Sequence, residues 1–221
     1  IQGRAIRAAA LLGALGLGLL GVLTLWPLAS LAEALGLAPL PAARLAALWA
    51  LLPGPALMTP ALDATVALSV TGCTLLVARA ARSPSRRRML ALAALAGLCG
   101  GLGLFASYGA ATFLVLGALA VIAAMTSRDH AGRTSTSLMG PILASATAIA
   151  GTVLVGFGVP ALLGHQPLLA LRTALEVHRS LFTAPRDYRL WLVFNPLDFA
   201  FFVGLPLALS LIHISEPTRL R

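Results

Sequence analysis

Apolar runs close to membrane-spanning length follow one another through most of this chain, separated by short polar stretches. That alternation constrains the fold more than any single motif. A helical span needs about 20 mostly apolar residues, and fewer when other helices surround it. Runs that meet this requirement, or fall just short of it, cover about 8–31, 43–58, 64–80, 90–106, 108–125, 138–163 and 190–208. Hydrophobic residues are 59% of the 221 and charged residues 10%, against roughly 25% charged in a soluble domain. A barrel of transmembrane strands would need short segments of alternating polarity. The expected fold is therefore all-α, a polytopic transmembrane helix bundle. Its apolar bulk is Leu, Ala, Gly and Val, which suits helices that approach closely through small residues.

Several spans carry breaks. The first is expected to end near Trp26-Pro27, where an interfacial aromatic meets a helix breaker. The second is interrupted by Pro53-Gly54-Pro55, and the fourth and fifth meet around Phe105 to Gly109. Broken helices at membrane depth are tolerated where protein or a cavity surrounds them. Residues 167–183 read differently. Leu168, Leu171, Leu175 and Phe182 share one helical face, with Arg172, Glu176 and Arg179 beside them, so this segment is expected to be an amphipathic helix lying in the membrane interface.

The net charge is +9, and every basic residue is Arg, a bias that fits a GC-rich coding sequence. These residues fall between apolar runs and form no basic domain of their own, so membrane topology accounts for them better than nucleic acid does. Arg79, Arg82, Arg86, Arg87 and Arg88 form the densest cluster. The positive-inside rule places that loop in the cytoplasm of a multi-pass membrane protein. Arg128 and Arg133 then fall inside as well, as does the segment from Glu33 to Arg44. Asp63, Gly164-His165 and the N-terminus fall outside. Arg4, Arg7, Arg172, Arg179, Arg186 and Arg189 also fall outside, and an outward basic surface requires a reason.

Gly16-Leu17-Gly18-Leu19-Leu20-Gly21 matches G-x-G-x-x-G but follows no strand, so it is expected to pack membrane helices rather than bind a dinucleotide. Cys73 and Cys99 lie in apolar runs without ligand partners, and neither a metal site nor a cofactor is expected. Asp63 reads either as a first-turn acid of the helix that follows or, with Asn195 and Asp198, as a residue lining an outward cavity. His130, beside Arg128 and Asp129, reads as solvated. The segment from His178 to Trp191 holds His178, Arg179, Arg186, Tyr188 and Arg189. Guanidinium forks match phosphate oxygens, which makes these residues candidates for binding a lipid phosphate. Contacts with lipid headgroups, or an Arg186 pair with Asp187 or Asp198, would use the same residues. No Ser/His/Asp set or phosphate loop is present, and no catalytic residue is assigned.

The chain opens on Ile1-Gln2-Gly3-Arg4, without Met or a signal peptide, and is expected to begin inside a longer protein. At its other end, Leu209 to Arg219 reads LSLIHISEPTR. That stretch resembles a translation of adapter DNA from transposase-made sequencing libraries. Residues 209–221 are therefore expected to be an artefact, with the native fragment ending near residue 208.

From Leu51-Leu52-Pro53-Gly54-Pro55-Ala56-Leu57-Met58-Thr59-Pro60-Ala61-Leu62-Asp63, through the span ending in the arginine loop, to Leu95–Tyr108, the chain resembles integral membrane glycosyltransferases of the GT-C type. The shared pattern is a span ending in Pro and an acid, a span entering a basic loop, and a glycine-rich span ending in a polar-aromatic pair. It covers about residues 43–125. The C-terminal part resembles relatives of that kind at His178, Tyr188, Trp191 and Asn195-Pro196-Leu197-Asp198-Phe199. The resemblance implies sugar transfer from a polyprenyl-phosphate-linked donor on the outer face of the cytoplasmic membrane, with membrane lipids as further partners. It also implies a catalytic acid in a first outer loop that this fragment lacks, and a Lys near Ser107-Tyr108 that is absent here. A transporter or flippase with a midplane site and a non-catalytic membrane scaffold are the alternatives.

Overall fold

The computed structural model describes residues 2–54, 63–126, 138–185 and 187–204. They form helices α1 (Gln2–Leu23), α2 (Leu25–Ala34), α3 (Pro39–Leu51), α4 (Asp63–Ala81), α5 (Arg86–Ala106), α6 (Ala110–Thr126), α7 (Met139–Val153), α8 (Val159–Leu162), α9 (Pro167–His178) and α10 (Tyr188–Val203). Two π-helical turns interrupt them, π1 (Leu154–Gly158) and π2 (Arg179–Thr183). No strand occurs among the described residues, and the fold is all-α as expected.

Among the described residues, four stretches are long and apolar enough to cross a membrane: Arg4–Ala34, Ala64–Ala81, Arg86–Ala106 and Met139–Leu162. Pro39–Leu51 and Ala110–Met125 are shorter apolar helices. The distribution of side-chain size supports a membrane setting independently. The buried core is largely alanine, including Ala78, Ala80, Ala93, Ala96, Ala144 and Ala148, whereas Leu12, Leu19, Leu102, Phe105, Phe113 and Leu116 are exposed. Water would drive those large side chains inward, and hydrocarbon would not.

Helices α4, α5 and α7 form the centre of the bundle, with α6 against α4 and π1 against α5. The closest crossing is between α5 and α7. A Cβ built on Gly97 would lie 2.7 Å from the Gly151 Cα, one on Gly100 would collide with the Thr152 hydroxyl, and one on Gly101 would collide with Val155. The glycine-rich span thus exists to let two backbones meet.

The expected first span differs in its break. Pro27 does not end the helix; it lies inside α2, while the interruption falls at Thr24. Proline offers no N–H to the carbonyl four residues back and crowds it, so α1 stops at Leu23, the carbonyl Pro27 cannot serve. Thr24, fully buried, donates its hydroxyl to the Leu20 carbonyl at 3.0 Å. Helix α2 ends in a Schellman motif: Gly36 at φ 103° donates to Glu33 O at 2.9 Å and Leu37 to Ala32 O at 3.0 Å. The expected second span is shorter than its apolar run, because α3 stops at Leu51, before Pro53.

At two of the three glycines of the G-x-G-x-x-G segment, no close packing is made among the described residues. Gly16 and Gly21 have nothing within 4 Å of a built Cβ, because α1 meets the bundle mainly along α4 and leaves that face bare. Residues 209–221 and His130 lie outside the described residues.

Gly140, at the start of α7, lies against the Ala81 carbonyl at the end of α4, a built Cβ coming to 3.4 Å. The Tyr108 hydroxyl, at the α5–α6 turn, donates to the Pro167 carbonyl at 3.2 Å. The arginine turn and the segment before α7 therefore share one end of the bundle, and α9 starts at the other.

Candidate functional site

Two prolines and one glycine interrupt the C-terminal arm. Pro160 has no N–H for the Gly156 carbonyl, and π1 widens the helix just before it. Gly164, at φ 84°, closes α8 with a second Schellman motif, donating to Ala161 O at 3.1 Å while His165 donates to Pro160 O at 3.0 Å. Helix α9 then runs to His178 with no buried residue. Leu168 and Leu175 are exposed and Leu171 is half-buried, so among the described residues its apolar face is largely uncovered, as in an interfacial helix.

Before Pro185 the backbone widens again. Ala184 N donates to Arg179 O, five residues back, at 2.7 Å, and this bond closes π2. Asp187 caps α10, its Oδ1 accepting from Arg189 N at 2.9 Å. Tyr188 and Trp191, one turn apart, stack with ring centroids at 5.9 Å. The corner so formed borders an open cavity of about 250 Å³ lined by His178, Thr183, Tyr188 and Trp191.

Of the lipid-phosphate candidates, the fold brings His178 and Tyr188 together in this cavity. Arg179 and Arg189 each follow a lining residue directly and are exposed. Arg186 lies outside the described residues, and Asp187 is engaged as a helix cap. Asn195 and Asp198 are exposed on α10, spaced four and seven residues after Trp191, which puts the three on one helical face with Tyr188. Asp63 is the first residue of α4, the position of a first-turn acid; its side chain is outside the description.

Thr183 and the π-helical turn were not legible in the apolar pattern; only Pro185, with the N–H it removes, hinted at the turn. A second cavity was also missed. It measures about 270 Å³ and lies among α4, α6 and α7, lined by Cys73, Tyr108, Ser145, Thr152 and Phe157, with Leu171 of α9 at its rim. Tyr108 and Phe157 stack there at 6.0 Å. The buried Ser145 hydroxyl has no hydrogen-bond partner among the described residues. Its signal was spread over single polar residues in apolar spans that share no sequence spacing. Cys73 and Cys99 are free thiols, and no cluster of metal-ligating side chains occurs among the described residues.

No family model, curated protein or solved structure matches this chain. The corner is therefore interpreted from its own chemistry. An imidazole, a hydroxyl and a phenol offer hydrogen bonds, two exposed guanidinium groups add positive charge, and the indole and the bare face of α9 offer apolar contact. Such a set suits an anionic headgroup joined to a hydrocarbon chain. Among the described residues, no carboxylate lines the cavity.

Proposed function

We propose that this chain is part of a membrane glycosyltransferase of the GT-C kind, acting at the outer face of the cytoplasmic membrane. Its role there is to hold a polyprenyl-phosphate-linked sugar donor. The observation that carries the reading is the corner at π2. A widened turn, a type often found at functional sites, places His178 and Thr183 against Tyr188 and Trp191 around a cavity at the end of an amphipathic helix that has no buried residue. In such a transfer the acceptor hydroxyl attacks the anomeric carbon, the bond from that carbon to the phosphate oxygen breaks, and the phosphate leaves with the electron pair. Positive and hydrogen-bonding groups at the corner would stabilise the charge gathering on that phosphate. The groups that line the corner support donor binding, and no role in removal of the acceptor's proton is assigned to it.

A transporter reading draws on the cavity beneath Tyr108, but its lining is dominated by Leu, Val, Ala and Phe, which suits neither an ion nor a free sugar. The reading is tested with the full chain in nanodiscs of neutral lipid, using a labelled polyprenyl phosphate as probe. His178→Ala, Arg179→Ala and Arg186→Ala should each weaken binding roughly ten- to a hundredfold. This follows from charge-assisted bonds of about 1.5–3 kcal/mol and a factor of ten per about 1.4 kcal/mol. Wild-type affinity in all three variants, or no binding by the wild type, rejects the site.

A further inference from the structure

Hydroxyls inside the apolar helices of this chain have a recurrent way of pairing. Thr24, Thr71 and Thr74 each donate to the carbonyl four residues back, at 3.0, 2.7 and 2.8 Å. Ser145 of α7 does not. It is 4% exposed, and its hydroxyl has no hydrogen-bond partner among the described residues. An unpaired hydroxyl is costly in apolar surroundings. Ser145 lines the cavity of about 270 Å³ among α4, α6 and α7, whose walls are mostly aliphatic and aromatic.

Size and chemistry narrow what this cavity can take. An apolar cavity of about 150 Å³ accommodates benzene, so there is room here for a molecule nearly twice as large. Much of the wall belongs to Ala64–Ala81 and Met139–Leu162, stretches long enough to span a membrane, so a ligand would arrive from the bilayer. A hydrocarbon chain would fill the space and leave Ser145 unpaired. Water would pair it, but a buried water needs about two to four polar partners, and Thr74 and Tyr108 already donate to Val70 O and Pro167 O. An ion or a sugar would lose its hydration against the apolar walls. The Tyr108 and Phe157 rings, stacked at 6.0 Å, present aromatic surface to whatever enters. We infer that the cavity is a binding site for a compact, neutral aromatic molecule carrying one hydrogen-bonding oxygen, which pairs with the Ser145 hydroxyl. The site is separate from the donor corner and stands whether or not that assignment holds.

The test uses the full chain in nanodiscs of neutral lipid and two labelled probes of one shape. These are 1-naphthol and 1-methylnaphthalene, the second with a methyl group in place of the hydroxyl. Binding is measured by equilibrium dialysis, with uptake by empty nanodiscs subtracted. At equal concentration in the bilayer the wild type should bind 1-naphthol about fivefold more tightly, the contribution of one hydrogen bond. Ser145→Ala should bind both probes alike, and Ala118→Leu, which adds bulk to the wall, should bind neither. Melting temperatures near that of the wild type show that the variants fold; Ser145→Ala, which lacks only the oxygen, decides the matter if Ala118→Leu does not fold. No binding by the wild type overturns the site, and so does equal binding of the two probes, which would mark a cavity for lipid chains. A preference for 1-naphthol that survives in Ser145→Ala overturns the pairing with that hydroxyl. Displacement of 1-naphthol by a polyprenyl phosphate would make the cavity part of the donor site and overturn a separate ligand.

Discussion

Glycines in this chain differ in what surrounds them, and that difference sets what each can tolerate. Gly97 faces the backbone of Gly151, with a built Cβ at 2.7 Å from Cα and 3.0 Å from the carbonyl carbon; backbone cannot rotate aside as a side chain can. Gly97→Ala must therefore part α5 from α7, and overpacking of this kind costs about 1–3 kcal/mol. Gly16→Ala meets nothing within 4 Å and gains helix propensity. Thermal unfolding in detergent should show a clear loss for the first and none for the second. A loss at Gly16 would mean that another helix, from a second copy or another protein, covers that face of α1. The composition and the glycine-rich run made close packing legible, but which glycines pack depends on which helices are neighbours. Gly16 and Gly97 look alike in sequence for that reason.

Among the elements, the apolar runs coincide with helices, and backbone chemistry decided where those helices stopped. The run expected at 138–163 is a single stretch from Met139 to Leu162, yet it contains π1, because Pro160 withholds a hydrogen bond that no hydropathy average registers. Pro196 withholds one too, and α10 continues through it. Proline therefore marks a place of adjustment without fixing its form. The corner depends on two short devices of this sort. Gly164 takes φ 84°, a conformation costing a side chain about 1–2 kcal/mol, so Gly164→Ala should loosen α9 from the turn that aims it. Asp187→Ala should cost about 1 kcal/mol at the start of α10. Hydrogen–deuterium exchange is expected to rise at residues 188–191 in Asp187→Ala and at 165–170 in Gly164→Ala, leaving α5 unchanged in both. Unaltered exchange at 188–191 would show that the Asp187–Arg189 bond does not hold the corner.

For the whole molecule, the decisive relation is which loops share an end. The Ala81 carbonyl lies against Gly140, Glu33 of α2 lines the same hollow as Arg79 and Arg88, and Tyr108 reaches Pro167 on the far side. These contacts sort the loops into two sets, one holding the arginine turn and one holding the start of α9. Charge then orients the pair of sets: the density of arginine between Arg79 and Arg88 favours the cytoplasmic side over a more scattered outer group. In a background with Cys73 and Cys99 replaced, single cysteines at Ser85 and Ser135 should resist an impermeant maleimide in intact cells, and one at Gln166 should react. Breaking the cells should expose all three. If Ser85 and Ser135 react together while Gln166 is protected, the sets stand and the orientation reverses, placing the donor corner in the cytoplasm. If Ser85 and Gln166 behave alike, α5, α6 and α7 do not all three cross, and the two sets of loops do not lie on opposite faces of the membrane.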